Sequence, residues 1–169
     1  MPEELPDSES LPIVVEMVES HCARFGELGE WWLRWWPIDV RYVEPSVPAP
    51  LRDGVKASRQ RVWIRADGSL PDDPLLHACV VAYASDMTLL DTTVLPHGLT
   101  WGKGLLMGAS LDHAMWFHRP FRADEWLLYD QDSPSAYGAR AFARGNIFTA
   151  DGRLAVSVAQ EGLVRTRRA

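Results

Sequence analysis

The chain is poor in the features that mark many specialised proteins. Only two cysteines, Cys22 and Cys79, occur in 169 residues. Both fall in helical patterns and read as reduced core residues rather than a disulfide, so the expected address is the cytoplasm. Basic charge is not in excess: the net charge is −6 and the Lys and Arg residues are scattered. Nucleic acid is therefore not an expected partner, and the basic end Arg165, Arg167, Arg168 reads as solvated. No stretch approaches the ~20 apolar residues of a membrane span. Residues 1–10 are acidic and polar rather than a signal peptide. No membrane partner is expected. Metal-ligand spacings and Gly-rich phosphate loops are missing as well. Nothing suggests a flavin, a nicotinamide or a metal, and no cofactor is expected.

What is present is a core. Apolar residues make up 47 % of the chain, enough for one domain of this length. Residues 73–90 read Asp-Pro-Leu-Leu-His-Ala-Cys-Val-Val-Ala-Tyr-Ala-Ser-Asp-Met-Thr-Leu-Leu. Asp73 followed by Pro74 starts a helix. Nearly every face of that helix is apolar, which predicts that other structure wraps it. Asp86 lies near its C-terminal end. Burial and the helix dipole both disfavour the charged form there, the bias a general base needs.

Before the helix, residues 1–10 read as a flexible leader. Residues 12–25 form a modest amphipathic helix with Ile13, Val14, Met17, Val18 and Cys22 on one face. The cluster Trp31, Trp32, Trp35, Trp36 either packs on the domain or forms an interface. Strands are predicted over 38–43 and 59–64, on either side of a loop containing Pro45, Pro48 and Pro50. Four more follow at roughly 110–118, 126–134, 138–148 and 153–164, with turns at 122–124, 133–135 and 151–152. Strand runs beside one apolar helix predict an α+β domain with an antiparallel sheet. The domain is expected over 38–169, with 1–37 linker-like.

Three further residues stand out. On the last strand Leu154, Val156, Val158, Gln160 and Gly162 alternate onto one face. That puts a Gln160 amide on the core side, where it needs a partner. Asp86 is one candidate and a backbone group at the strand end is another. Ser110 precedes Leu111-Asp112-His113, but Gly108-Ala109-Ser110-Leu111-Asp112 is not a nucleophile elbow. Strict alternation also turns Ser110 away from the face of Leu111, Met115 and Phe117, unless a bulge intervenes. His113 reads as a satisfied core histidine, and His118 faces the other side.

The stretches Val62–Asp73, Ala82-Tyr-Ala-Ser-Asp86, Leu111-Asp-His-Ala-Met-Trp-Phe-His-Arg-Pro120, Glu125-Trp-Leu-Leu-Tyr129 and Gln160-Glu-Gly162 resemble the acyl-CoA thioesterase II (TesB-like) family over about residues 38–165. The resemblance implies a hotdog fold, an antiparallel sheet wrapped around a central helix. It implies acyl-CoA thioesters as substrates. It also implies that Asp86, Ser110 and Gln160 together orient and activate a water. Ser110 stands where threonine is common. Members of the family usually carry two hotdog halves, and this chain resembles the second. Pairing is therefore expected, either as a homo-oligomer or with a separate first-half chain. The competing expectation is a non-catalytic acyl-CoA-binding or assembly half. A hotdog hydratase fits less well, because its histidine five residues after the aspartate is replaced by Asp91.

Overall fold

The computed structural model describes residues 5–14, 16, 37–44, 54, 56–99, 101 and 106–166. The Trp cluster, Cys22, the Pro-rich loop and most of the helix expected over 12–25 lie outside them.

Seven strands form one antiparallel sheet: β1 (Ile38–Glu44), β2 (Arg59–Ala66), β3 (Leu106–Ser110), β4 (Ala114–Phe117), β5 (Leu127–Tyr137), β6 (Arg140–Thr149) and β7 (Leu154–Thr166). Their order is β1-β2-β5-β6-β7-β3, with β4 also on β7. The long α-helix among the described residues, α1 (Pro74–Asp86), crosses the concave face. This is the hotdog arrangement expected.

Period-two alternation decides what meets the helix. Val62 and Ile64 of β2, Leu127 and Tyr129 of β5, Ala143 and Ile147 of β6, and Val156 and Val158 of β7 point inward and are buried with Val81 and Ala84 of α1. The opposite face carries a smaller cluster of Val43, Trp63 and Leu128, covered by Leu5, Leu11, Trp126 and Phe148. Residues 5–11, expected to be part of a flexible leader, are thus docked on the sheet. Arg41 fixes them by donating to the Ser8 carbonyl at 2.9 Å.

Three strand boundaries differ from expectation, each for a local reason. The 133–135 segment does not turn. It is a register shift inside β5 between Asp132 and Ser135. The hairpin turn falls later, at Gly138-Ala139, both at φ +62°. Two successive positive-φ residues match the twist of a two-residue hairpin, and only Gly adopts that region without penalty. The strand expected over 110–118 is broken at 111–113, which is central to the site.

The helix is not wrapped all round. His77, Val81, Ala84 and Ser85 are buried, whereas Leu75 is 71 % and Tyr83 55 % exposed. Cys79, expected in the core, is exposed on that open stripe. The sheet covers one side of α1, and no described residue covers the other. By length and composition the helical run Pro74–His97, 24 residues, is apolar enough to cross a membrane. The expectation that no stretch approaches a span failed on this run, because Asp86 and Asp91 interrupt it as sequence. Here 56 % of its most apolar window is buried inside the fold, as befits the core helix of a domain.

Candidate active site

Asp86 is the last residue of α1. A helix C-terminus leaves carbonyls without intrahelical partners, and here the sheet supplies donors. The Tyr129 hydroxyl donates to the Ser85 carbonyl at 3.2 Å. Gln60 Nε2 donates to the Thr88 carbonyl at 3.0 Å, and Gln131 Nε2 to Thr88 Oγ1 at 2.8 Å. The two glutamines are themselves joined at 3.1 Å. Three inward side chains from β2 and β5 therefore bolt down the turn that carries Asp86. Burial pushes the Tyr129 hydroxyl well above its usual pKa, with the Asp86 charge adding to the effect. It stays a proton donor. Gly145 on the neighbouring strand leaves room for the Tyr129 ring, which a Cβ would strike.

Gln160 arrives from β7 on the inward phase that alternation predicts, and it is fully buried. Its Nε2 donates to Asp86 Oδ1 at 2.6 Å and also meets Ser110 Oγ. Its Oε1 has no partner among the described residues. Gly162, two residues on, pairs with Ser110 across the ladder. A Cβ there would come within 2.6 Å of Leu90 Cδ2.

Ser110 reaches this point because the strand is bulged. Ser110 pairs with Gly162, yet Ala114 pairs with Ala159. Four steps on one strand oppose three on the other. Both Leu111 N and Asp112 N donate to the single carbonyl of Glu161, at 2.9 and 3.4 Å. The Asp112 carboxylate accepts the Glu161 N–H at 2.7 Å. One extra residue reverses the alternation, so Ser110 and Met115 both serve the inner side. Leu111 is left 53 % exposed. The conflict in the sequence pattern is resolved by Asp112.

Asp86, Ser110 and Gln160 are thus brought together. One expectation fails: the Asp86 side chain is 59 % exposed rather than buried, because it ends the open stripe of α1. One residue was undervalued. His113, expected to be a core histidine, lies with Nε2 2.9 Å from Ser85 Oγ and Nδ1 3.7 Å from Asp86 Oδ1. The signal was present in its place three residues after Ser110, but the bulge that aims it was not. Asp91 is tied to the Trp101 indole N–H at 2.8 Å. Among the described residues no group of three or more His, Cys, Asp or Glu side chains could hold a metal ion.

The arrangement joins a solvent-reachable carboxylate to an amide and a hydroxyl, with no Lys or Arg within ion-pairing distance of it among the described residues. Such a group can accept a proton. The sequence profile of the family described as acyl-CoA thioesterase matches residues 38–163. The chain belongs to the acyl-CoA thioesterase family. It is 43 % identical over 132 residues to human acyl-coenzyme A thioesterase 8, covering 78 % of this chain and 40 % of that protein. It is 47 % identical to the crystal structure of an acyl-CoA thioesterase II, TesB2, from Mycobacterium marinum. That match has a TM-score of 0.72 and covers 99 % of this chain and 56 % of the other. A hotdog-fold protein of unknown function from Alicyclobacillus acidocaldarius shares 18 % identity at TM-score 0.64, a likeness of fold alone. The chain thus spans about half the length of the two thioesterases it matches.

Proposed function

We propose that this chain hydrolyses acyl-CoA thioesters to the free acid and CoA, with Asp86 as the general base. The observation that carries the reading is the contact of Gln160 Nε2 with both Asp86 Oδ1 and Ser110 Oγ. Both amide hydrogens are spent there, which leaves Gln160 Oε1 to accept and the Ser110 hydroxyl to donate. A water beside the carboxylate gives its proton to Asp86 as its oxygen attacks the thioester carbonyl. The C–S bond then breaks, CoA leaves as thiolate, and the proton that Asp86 took from water passes to sulfur. A thiol has a pKa near ~8.5, so no strong acid has to assist departure. Positioning and base catalysis are the contributions required of the protein.

Purified chain should release free thiol from acyl-CoA. Protein that binds acyl-CoA without releasing thiol would replace this reading with the non-catalytic one. That alternative is not favoured, because all three side chains are present and in contact.

The second part of the proposal concerns partners. The apolar stripe Leu75, Cys79, Tyr83 packs against a second hotdog unit, another copy of this chain or a separate first-half chain. Support comes from the exposure of Leu75 and Tyr83 on a helix. Solution mass tests it. Tyr83→Glu should shift the mass towards the single chain, and a wild type that is active as a single chain would overturn it. The free Cys79 thiol supports a reducing compartment, and a cytoplasmic address is part of the proposal.

A further inference from the structure

We infer that His113 is a positioning residue for this hydrolysis: anchored on Ser85, its ring holds one oxygen of Asp86 and leaves the other to meet water. The inference rests on the functional reading above. It starts from the hydrogen that Ser85 has to give. Ser85 Oγ has acceptors on three sides: the Ala82 carbonyl at 2.9 Å, one turn back in α1, the Met115 sulfur at 3.5 Å, and a ring nitrogen of His113. A hydroxyl has one hydrogen. That hydrogen goes to His113 Nε2 at 2.9 Å, the choice that leaves the ring proton on Nδ1, where a carboxylate can accept it. This fixes the ring plane and turns Nδ1 to Asp86 Oδ1 at 3.7 Å.

Oδ1 is also the oxygen that Gln160 Nε2 reaches at 2.6 Å. Two side chains from two strands, β7 and the bulge before β4, thus converge on the same carboxylate oxygen. The rotation of Asp86 is set, and Oδ2 is the oxygen left for the reaction. Asp112 enters indirectly: its bond to Glu161 N–H builds the bulge that aims His113 inward. The other charged or titratable side chain on the ring's own loop is thereby engaged away from it.

Amide substitutions separate the two ring nitrogens. Asn places its NH2 near the Nδ1 position, and Gln places its NH2 near Nε2. His113→Ala and His113→Gln should each lower kcat about tenfold or more with KM little changed. His113→Asn should recover most of the loss seen in His113→Ala. If His113→Gln keeps kcat and His113→Asn loses it, the ring serves the Ser85 anchor and the inference is wrong. Equal activity in all three variants overturns it as well. A wild type that hydrolyses no acyl-CoA would sink the functional reading, and the role in the reaction with it. Nitrogen NMR of the imidazole then still decides the contact itself. Asp86→Asn should move the His113 Nδ1 resonance and leave Nε2 without a proton, and no movement of Nδ1 denies that the ring holds Asp86.

Discussion

The two ends of α1 treat a carboxylate in opposite ways. At the start of the helix, Asp124 is clamped. Arg122 donates to both of its oxygens at 3.0 Å, and Leu70 N donates at 2.9 Å. The Arg122 bonds, followed by the Leu70 amide, pull its pKa from 3.8 to about 2. At the far end, Asp86 meets an amide and an imidazole, and no guanidinium among the described residues. The docked N-terminal segment follows the first pattern. Glu9 accepts from the Trp126 indole and lies against Arg41 and Arg65, and its carboxyl is held below the usual range, chiefly by the indole bond. A fixed cation beside a carboxylate stabilises the anion and so weakens it as a base. Asp124 and Glu9 are clamped by cationic or indole donors, and Asp86 has no such cation beside it among the described residues.

The sharpest way to break this contrast is to neutralise the two acids in turn. Asp86→Asn should lower thiol release roughly a thousandfold, the middle of the range for removing a general base, without lowering the denaturation midpoint. Full activity in that variant would remove Asp86 from the mechanism.

A smaller effect is expected beneath the site. In Gly145→Ala the new methyl meets the buried Tyr129 ring and the Asp130 carbonyl at 3.0 Å. Overpacking of this kind costs about 1–3 kcal/mol, measurable by urea denaturation. Because Tyr129 supports the Ser85 carbonyl, kcat should fall with stability. Asp124→Asn should do the reverse of Asp86→Asn, with hydrolysis retained and stability at neutral pH lowered by about 1–2 kcal/mol, the scale of hydrogen bonds to a charged group. The sign with pH follows from the lowered pKa. The contribution of Asp124 is complete above its unfolded value of 3.8 and is lost as pH falls through about 2. The difference between variant and wild type should therefore close across that window in acid denaturation curves. A constant gap would deny that ionisation is the source.

The smallest effect is expected on the exposed surface of the sheet. Arg144 donates to Asp132 at 2.9 Å with 60 % and 36 % of the side chains exposed. Solvent screens such a pair. Arg144→Gln should leave both the denaturation midpoint and the rate of hydrolysis unchanged. A clear loss of either would show that cation pairing alone does not mark the structural acids.

Much of this was legible from the chain. Pro74 starts α1 after the Asp73 cap, and Asp73 accepts the Leu75 N–H at 2.9 Å. The last strand places Gln160 inward. The Asp-His run carries the family resemblance. Gln60 and Gln131 were missed, although each interrupts an inward apolar phase beside Val62 or Tyr129. The late hairpin turn was missed because Ser133-Pro134-Ser135 carries stronger turn residues than Gly138-Ala139. Pro134 is accommodated by the irregularity in β5 rather than by a turn.

By itself the sequence determined the periodic matters: which strands alternate, where α1 begins, which side of β7 bears the amide. Those follow from neighbours a few positions apart. Tertiary structure alone decided that Gln160 meets Asp86, 74 positions away, and Ser110, 50 positions away. It also decided that a bulge turns His113 to the same carboxylate and that no described residue covers one side of the helix. The reason is that Asp112 acts on Glu161 of another strand, and a one-residue slip between paired strands has no signature within either strand's own alternation.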